Sequence, residues 1–156
     1  PLCDRNAVLD ELADLYGSTA AFLPDVMIRN CGGRLSDFDQ LDGTVAHSSC
    51  DLEARDTGTI FSVLGHMHEF GAAYRMTLHP DTPEEIVLLD IPVWSFEWQL
   101  NYTPVEEIRI EQGDTVRFEC WWDRSLVHLD EPRYVTWNEG TVDEMCYSSI
   151  RVVPDP

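Results

Sequence analysis

The chain has 156 residues, of which 44% are hydrophobic, enough for one domain with its own core. Its 29 acidic residues outnumber ten basic residues, all of them arginine, and give a formal net charge of −19. This balance argues against nucleic acid and anionic membranes as partners, because both are bound through basic surfaces. No apolar run reaches the roughly 18 residues of a membrane-spanning helix, so we expect no membrane insertion.

The predicted elements begin with a short N-terminal helix. Residues 6–16 carry apolar side chains at helical spacing, and Gly17 follows as a C-cap. From residue 18 to residue 56 the periodicity weakens and turn residues dominate, so we expect no second helix. We interpret residues 1–56 as an N-terminal segment that packs on the main body.

Residues 57–156 are predicted to form an all-β domain. Short strand-like runs, most of them separated by turn residues, suit an antiparallel β-sandwich or jelly roll. The runs cover residues 59–68, 71–78, 86–90, 94–101, 106–111, 114–122, 133–137 and 144–153. Within this series, the alternation of residues 106–111 and the turn at Gly113-Asp114 predict a hairpin with the following strand.

The five cysteines include no Cys-x-x-Cys pair, which is more typical of disulfides than of zinc ligands. They indicate an oxidising compartment, and we expect an extracellular or periplasmic protein. Spacing alone leaves their pairing open. Because the chain begins at Pro1 rather than methionine, we expect a processed form or a piece of a longer protein.

A candidate metal site starts at His66 and His68, which follow the apolar run of residues 60–64. Histidines at positions i and i+2 of a strand face the same side and can chelate a metal together. Met145, in the sequence Asp143-Glu144-Met145-Cys146, would add a thioether from a second strand. Two imidazoles and a thioether favour copper, particularly Cu(I), over zinc or magnesium.

Four motifs occur in a distinctive order: His66-x-His68-x-x-Gly71-x-x-Tyr74-Arg75, Trp94-x-Phe96-x-Trp98-Gln99, Gly113-Asp114 ahead of Cys120, and Gly140-Thr141-x-Asp143-Glu144-Met145-Cys146. This order resembles the C-terminal catalytic domain of the copper type II ascorbate-dependent monooxygenases, the peptidylglycine and dopamine monooxygenase type. The resemblance covers about residues 57–154. It implies a jelly-roll β-sandwich in which His66, His68 and Met145 bind one catalytic copper ion that activates oxygen.

The resemblance also implies a disulfide between Cys120 and Cys146, beside the methionine ligand. Cys50 has a counterpart in the family, but no cysteine follows Cys146 to serve as its usual partner. We therefore pair Cys50 with Cys31. This assignment leaves Cys3 as the odd thiol.

The chain departs from the family at positions that hold substrate and electrons. Leu64 and Tyr147-Ser148-Ser149 stand where peptide-amidating members have an arginine and an Asn-x-Tyr that hold the peptide. These differences argue against peptidylglycine as the substrate and leave a small molecule of unknown identity. His47, His79 and His128 are widely separated and do not form the adjacent pair of the family's second copper site. With one copper, the electrons must come from an external donor, from a partner domain absent from this chain, or from peroxide used in place of O2.

Two classes of function follow from this site. The first is a copper-dependent oxidoreductase of the monooxygenase type, which activates O2 or H2O2 for C–H hydroxylation. The alternative is a non-catalytic extracellular or periplasmic copper carrier or sensor, and a weaker third reading is a degenerate structural domain. A catalytic site should lie beside a concave, partly apolar cavity, whereas a carrier should have a shallow site or a fourth protein ligand. Glu69 and Glu144 flank the ligands and could orient the imidazoles.

Overall fold

A computed structural model of the protein describes residues 4–38, 43–131, 133–141 and 143–155. Among these residues, two helices come first and seven strands follow. The helices are α1 (Arg5–Tyr16) and α2 (Ser18–Asn30), and the strands are β1 (Val45–Glu53), β2 (Gly58–His66), β3 (Gly71–Leu78), β4 (Ile86–Ile91), β5 (Ile108–Ile110), β6 (Thr115–Asp123) and β7 (Tyr147–Pro154). Short 3-10 turns occupy Leu35–Phe38 and Phe96–Trp98.

The strands form two antiparallel sheets, which confirms a mostly β fold of the sandwich type. One sheet has the order β1-β6-β3-β4 and the other the order β5-β2-β7. Their facing sides share one hydrophobic core, to which β2 contributes Ile60 and Val63 and β3 contributes Met76 and Leu78. Every strand pair is antiparallel, so each strand can bury one face and expose the other.

Tyr74 joins the two sheets beneath the candidate metal site. Its ring is fully buried on β3, and its hydroxyl lies 2.6 Å from the Ser148 hydroxyl on β7. Gly65 of β2 leaves the space that the ring occupies, because a Cβ there would lie 2.5 Å from the ring. Burial raises the pKa of Tyr74 far above its usual range, so the phenol stays neutral.

The predicted helix α1 is present, with Asp4 as its N-cap and Gly17 at its C-terminus. The helix α2 contradicts our prediction that no second helix follows Gly17. Only Pro24 of α2 is buried, so the helix shows little of the apolar periodicity by which a sequence reveals a helix. Neither helix is long and apolar enough to cross a membrane, and no other helix in the described ranges is.

Three other predictions about regular structure were wrong. Residues 45–53, predicted as irregular, form the edge strand β1, whose polar sequence and exposed side chains give a weak strand signal. Residues 94–101 contain only a 3-10 turn at Phe96–Trp98. Trp94, Phe96 and Trp98 alternate as in a strand, but Trp94 is buried and Trp98 is 71% exposed, so the three side chains do not share one buried face. Residues 133–137 contain only an isolated bridge between Trp137 and Glu144.

The predicted hairpin of residues 106–111 and 114–122 is also wrong. The strand β5 pairs with β2, whereas β6 pairs with β1 and β3 in the other sheet. The turn at Gly113, which has a φ of +94°, therefore carries the chain from one sheet to the other. It is held by Ala54, whose carbonyl accepts from Gly113 and whose N–H donates to Asp114. Alternation and turn residues predict where a strand lies and where it ends in a turn, but they do not predict which other strand it pairs with.

Both predicted disulfides are confirmed. One joins Cys31, at the end of α2, to Cys50 on β1. The other joins Cys120 on β6 to Cys146, just before β7, and so links the two sheets beside the candidate site. Such bonds form and persist in oxidising compartments. Cys3, the predicted odd thiol, lies outside the described residues.

Candidate metal centre

His66 is the last residue of β2, His68 lies two residues beyond the strand, and the two rings lie close together. Met67 between them is fully buried in the core. Their ring centres are 5.1 Å apart, with one ring edge-on to the other. The sequence-based expectation that the two rings share one face agrees with this geometry.

The Nδ1 atoms of both histidines are held by acceptors. His68 Nδ1 lies 3.1 Å from the carbonyl oxygen of Asp143, which can only accept, so Nδ1 carries the proton. His66 Nδ1 contacts Oε1 of Gln99, and the Gln99 amide nitrogen donates to the Phe96 carbonyl at 2.8 Å. In each ring the Nδ1 atom is thus occupied by an oxygen, which leaves Nε2 as the atom that could bind a metal, and no described residue hydrogen-bonds to either Nε2 atom.

Glu144 hydrogen-bonds both to the turn after β2, which carries His68, and to the segment before β7, which carries Met145 and which we call the methionine segment. Its Oε2 atom accepts from the backbone N–H groups of His68 and Met145 and from the indole N–H of Trp122, each at 3.0 Å. Its Oε1 atom accepts from the Phe70 N–H at 2.7 Å. One buried carboxylate thus holds both segments that carry the candidate ligands.

Met145 is 6% exposed and lies between Glu144 and the disulfide-bonded Cys146. Two residues later, Tyr147 pairs with His66 across β2 and β7, and their ring centres are 6.5 Å apart. Within the described ranges, no three His, Cys, Asp or Glu side chains are grouped so as to hold a metal ion. A metal at this place would therefore depend on the thioether of Met145 as the third protein ligand.

Burial raises the pKa of both carboxyl groups that precede Met145. For Glu144 the backbone hydrogen bonds described above oppose this effect. For Asp143 the opposing group is Arg133, whose guanidinium lies 3.0 Å from the carboxylate and 3.5 Å from Glu11 on α1. Arg133 therefore connects the N-terminal helix to the loop whose carbonyl holds His68.

Two of the remaining histidines lie in their own local environments. His47 stacks on Trp121, with ring centres 4.6 Å apart, and its Nε2 lies 3.4 Å from Glu119. His79 lies 3.7 Å from Asp114. These partners account for both side chains without a metal. The third, His128, lines a cavity.

A cavity of about 410 Å³ lies beside His68, and we call it the aromatic cavity. Its apolar wall consists of Trp94, Phe96, Leu126 and Val127, and its polar groups include Glu69 and His128. Phe96 belongs both to the cavity and to the metal site, because its ring meets the His68 ring edge-on with centres 6.0 Å apart. The cavity is wide open to solvent, and His66, His68 and Met145 are not among its lining residues, so whether the site opens beside a substrate cavity stays a prediction.

Sequence reasoning assigned no role to Gln99 or to the Asp143 carbonyl, although both hold a histidine. The only signal for Gln99 was its place in the motif that ends at Trp98-Gln99. A backbone carbonyl gives no signal at all, since every residue has one. Comparison of the sequence with models of known families and with curated proteins gave no match.

Proposed function

We propose that the protein binds one copper ion through His66, His68 and Met145. The observation that carries this proposal is the orientation of the two imidazoles, whose Nδ1 atoms each lie against an oxygen atom and whose Nε2 atoms are left available to a metal. Neutral imidazoles oriented in this way are typical metal ligands. A thioether as third donor favours Cu(I) over zinc or magnesium.

When bound there, copper would supply the activation of O2 or H2O2 for hydroxylation of a C–H bond. With O2, the reaction consumes two electrons and two protons from outside and yields the alcohol and water. With H2O2, no added electrons are needed. The chain's own contribution is to hold the ligands: Gln99 and the Asp143 carbonyl fix the two rings, and Glu144 fixes the backbone of both ligand segments.

The proposal extends to the family that the motifs resemble. The His-x-His pair starts at the last residue of β2, and the methionine lies just before β7, next to a disulfide-bonded cysteine. This arrangement suits the catalytic domain of a copper type II monooxygenase with jelly-roll topology. Electrons would come from an external donor or a partner domain, and the protein would work in an extracellular or periplasmic space. The two disulfides support such a location.

Copper binding is tested by titrating metal-free protein with Cu(I) in competition with a chromophoric chelator. We expect one tight site, which His68→Ala removes and Met145→Ile weakens by at least tenfold. His47→Ala is the matched control, since His47 lies outside the site, and it should bind as the unchanged protein does. Equal Cu(I) affinity of the Met145→Ile variant would remove Met145 from the ligand set.

Turnover is tested by mixing the Cu(I)-loaded protein with O2 or H2O2 in a stopped-flow spectrometer. Reoxidation faster than that of free copper under the same conditions supports the oxidoreductase. Tight binding without faster reoxidation would instead identify a copper carrier or sensor.

A further inference from the structure

A stretch of chain ten residues before the methionine segment lies beside Asp143 and Glu144 and contacts both. The carbonyl of Thr136 accepts from the Glu144 N–H at 2.9 Å, and the Asn138 N–H donates to the Glu144 carbonyl at 3.1 Å. A further contact is made by a side chain, because Nη2 of Arg133 lies 3.0 Å from Oδ1 of Asp143. Since every residue other than proline can make such backbone bonds, the sequence-specific part of this support lies in Arg133.

Asp143 is the residue whose carbonyl holds the His68 ring, and it is fixed through both its backbone and its side chain. Its N–H donates to the Gly140 carbonyl at 2.9 Å, its carboxylate pairs with Arg133, and its carbonyl oxygen lies 3.1 Å from Nδ1 of His68. Gly140 also leaves room for the carboxylate, because a Cβ at residue 140 would lie 2.7 Å from Oδ2 of Asp143. Displacing the carboxylate would therefore disturb the residue that holds the ring.

The pair of Arg133 and Asp143 is withdrawn from water. The Arg133 side chain is 16% exposed and the Asp143 side chain 4% exposed. A buried carboxylate that loses its cation must take up a proton or turn toward water, because an uncompensated charge is costly inside a protein. Either change alters the contact that fixes Asp143 beside His68.

Arg133 is also in contact with helix α1. Its Nη2 atom, which pairs with Asp143, lies 3.5 Å from Oε2 of Glu11. The next residue of the helix, Leu12, is 1% exposed, so this part of α1 is packed against the protein. A continuous series of contacts thus leads from α1 through Arg133 and Asp143 to His68.

We propose that Arg133 is a positioning residue of the metal centre, which holds the His68 ring through Asp143 and connects the ring to helix α1. This inference rests on the proposed function, because it assigns the N-terminal helix and Arg133 a part in presenting one of the copper ligands. Arg133 itself does not touch the metal.

The test measures the Nδ1–H of His68 by NMR in metal-free protein with isotope-labelled histidine. In the unchanged protein we expect a proton on Nδ1 that exchanges slowly with water, because His68 is 5% exposed and donates to a carbonyl. The nitrogen chemical shifts report which ring atom carries the proton. A structural role of Arg133 alone would not change this signal.

The test variant replaces both charges, as Arg133→Met with Asp143→Asn, because Arg133→Met alone leaves a buried carboxylate unpaired and endangers the fold. We expect the His68 N–H to exchange at least about tenfold faster and Cu(I) affinity to fall about three- to tenfold. The matched control is Arg109→Met with Asp155→Asn, which removes a pair whose side chains are each 48% exposed. The control should change neither quantity. An unchanged His68 signal in the folded test variant would overturn the inference, whatever its stability.

Gly140→Ala approaches the same contact without removing a charge. The added methyl group pushes the Asp143 carboxylate away from its place, so the His68 N–H should again exchange faster and Cu(I) should bind more weakly. This variant decides the question if the double variant does not fold. A His68 signal that Gly140→Ala leaves unchanged would then overturn the inference.

The exchange measurements contain no copper, so their result is independent of metal binding. If copper fails to bind while the His68 signal responds as described, the proposed function fails and the positioning of His68 by Arg133 stands. If copper binds, and the double variant keeps both the signal and the Cu(I) affinity, the positioning inference alone is overturned.

Discussion

The carboxylate of Glu144 should control both stability and copper affinity, and Glu144→Gln tests this with little change of shape. An amide can keep its oxygen on the side of the three donors, His68, Met145 and Trp122. Its NH2 group then faces the Phe70 N–H, which the carboxylate accepts at 2.7 Å. The variant therefore loses one hydrogen bond and places two buried donors against each other.

The lost hydrogen bond and the unpaired donors cost about 1–3 kcal/mol, and the other three bonds weaken because the acceptor is no longer charged. Burial raises the pKa of Glu144, so removing the charge recovers part of this cost. We expect a net loss of about 1–3 kcal/mol in the free energy of unfolding of the metal-free protein. Cu(I) affinity should fall about ten- to hundredfold, because the backbones of both ligand segments lose their shared anchor.

Urea unfolding and chelator competition measure the two effects on the same protein. Glu69→Gln is the matched control, because Glu69 is exposed and makes no hydrogen bond within the described ranges. The control should change stability by less than about 0.5 kcal/mol. If the Glu144 variant unfolds and binds Cu(I) as the control does, the anchoring argument is refuted. A loss of stability with full Cu(I) affinity would limit Glu144 to holding the fold.

Three further predictions concern Tyr74, an ion pair of the larger sheet, and the disulfides. Gly65→Ala would place a methyl group 2.5–2.7 Å from the fixed ring of Tyr74. It should lower the free energy of unfolding, measured by thermal denaturation, by about 1–3 kcal/mol. A loss under about 0.5 kcal/mol would contradict this prediction. Arg117 hydrogen-bonds Asp51 at 2.7 Å and lowers the pKa of Asp51 below its ordinary 3.8. That stabilisation is complete above pH 3.8 and is lost as the pH falls further, so Arg117→Gln should raise the midpoint pH of acid unfolding, followed by circular dichroism. Replacing Cys120–Cys146 by alanines opens a loop with a separation of 26 residues and should cost about 3.5 kcal/mol in urea unfolding. It should also weaken Cu(I) binding, whereas loss of the other disulfide should affect stability alone.

The fold could be predicted where burial imposes a pattern on the sequence. The strands β2, β3 and β6 carry the core, and their alternating apolar residues place all three close to the predicted ranges. The strand β1 could not be found in this way, since it is an edge strand with polar residues. The pairing of β5 with β2 depends on contacts between residues distant in the sequence, which no local pattern encodes.

At the candidate site, the spacing of His66 and His68 was sufficient to predict that the rings come together. The supporting contacts were beyond such reasoning because they span long separations: 33 residues for Gln99 and His66, and 75 for Asp143 and His68. Only Glu144 was singled out, from its place next to Met145. Its role as an anchor follows from four donors that converge in space and not in sequence.

Three segments meet at the site, and each is held by a contact that does not require a metal. The end of β2 is fixed through Glu144, residues 94–99 reach it through Gln99, and the methionine segment is tied to β6 by the disulfide of Cys146. A site assembled in this way is preorganised, so binding a metal would cost little reordering of the chain. The NMR chemical shift of the Phe70 amide, and its protection from hydrogen exchange, should therefore stay nearly the same when copper is added to the metal-free protein. A large change on loading would mean that the metal, and not Glu144, orders the turn.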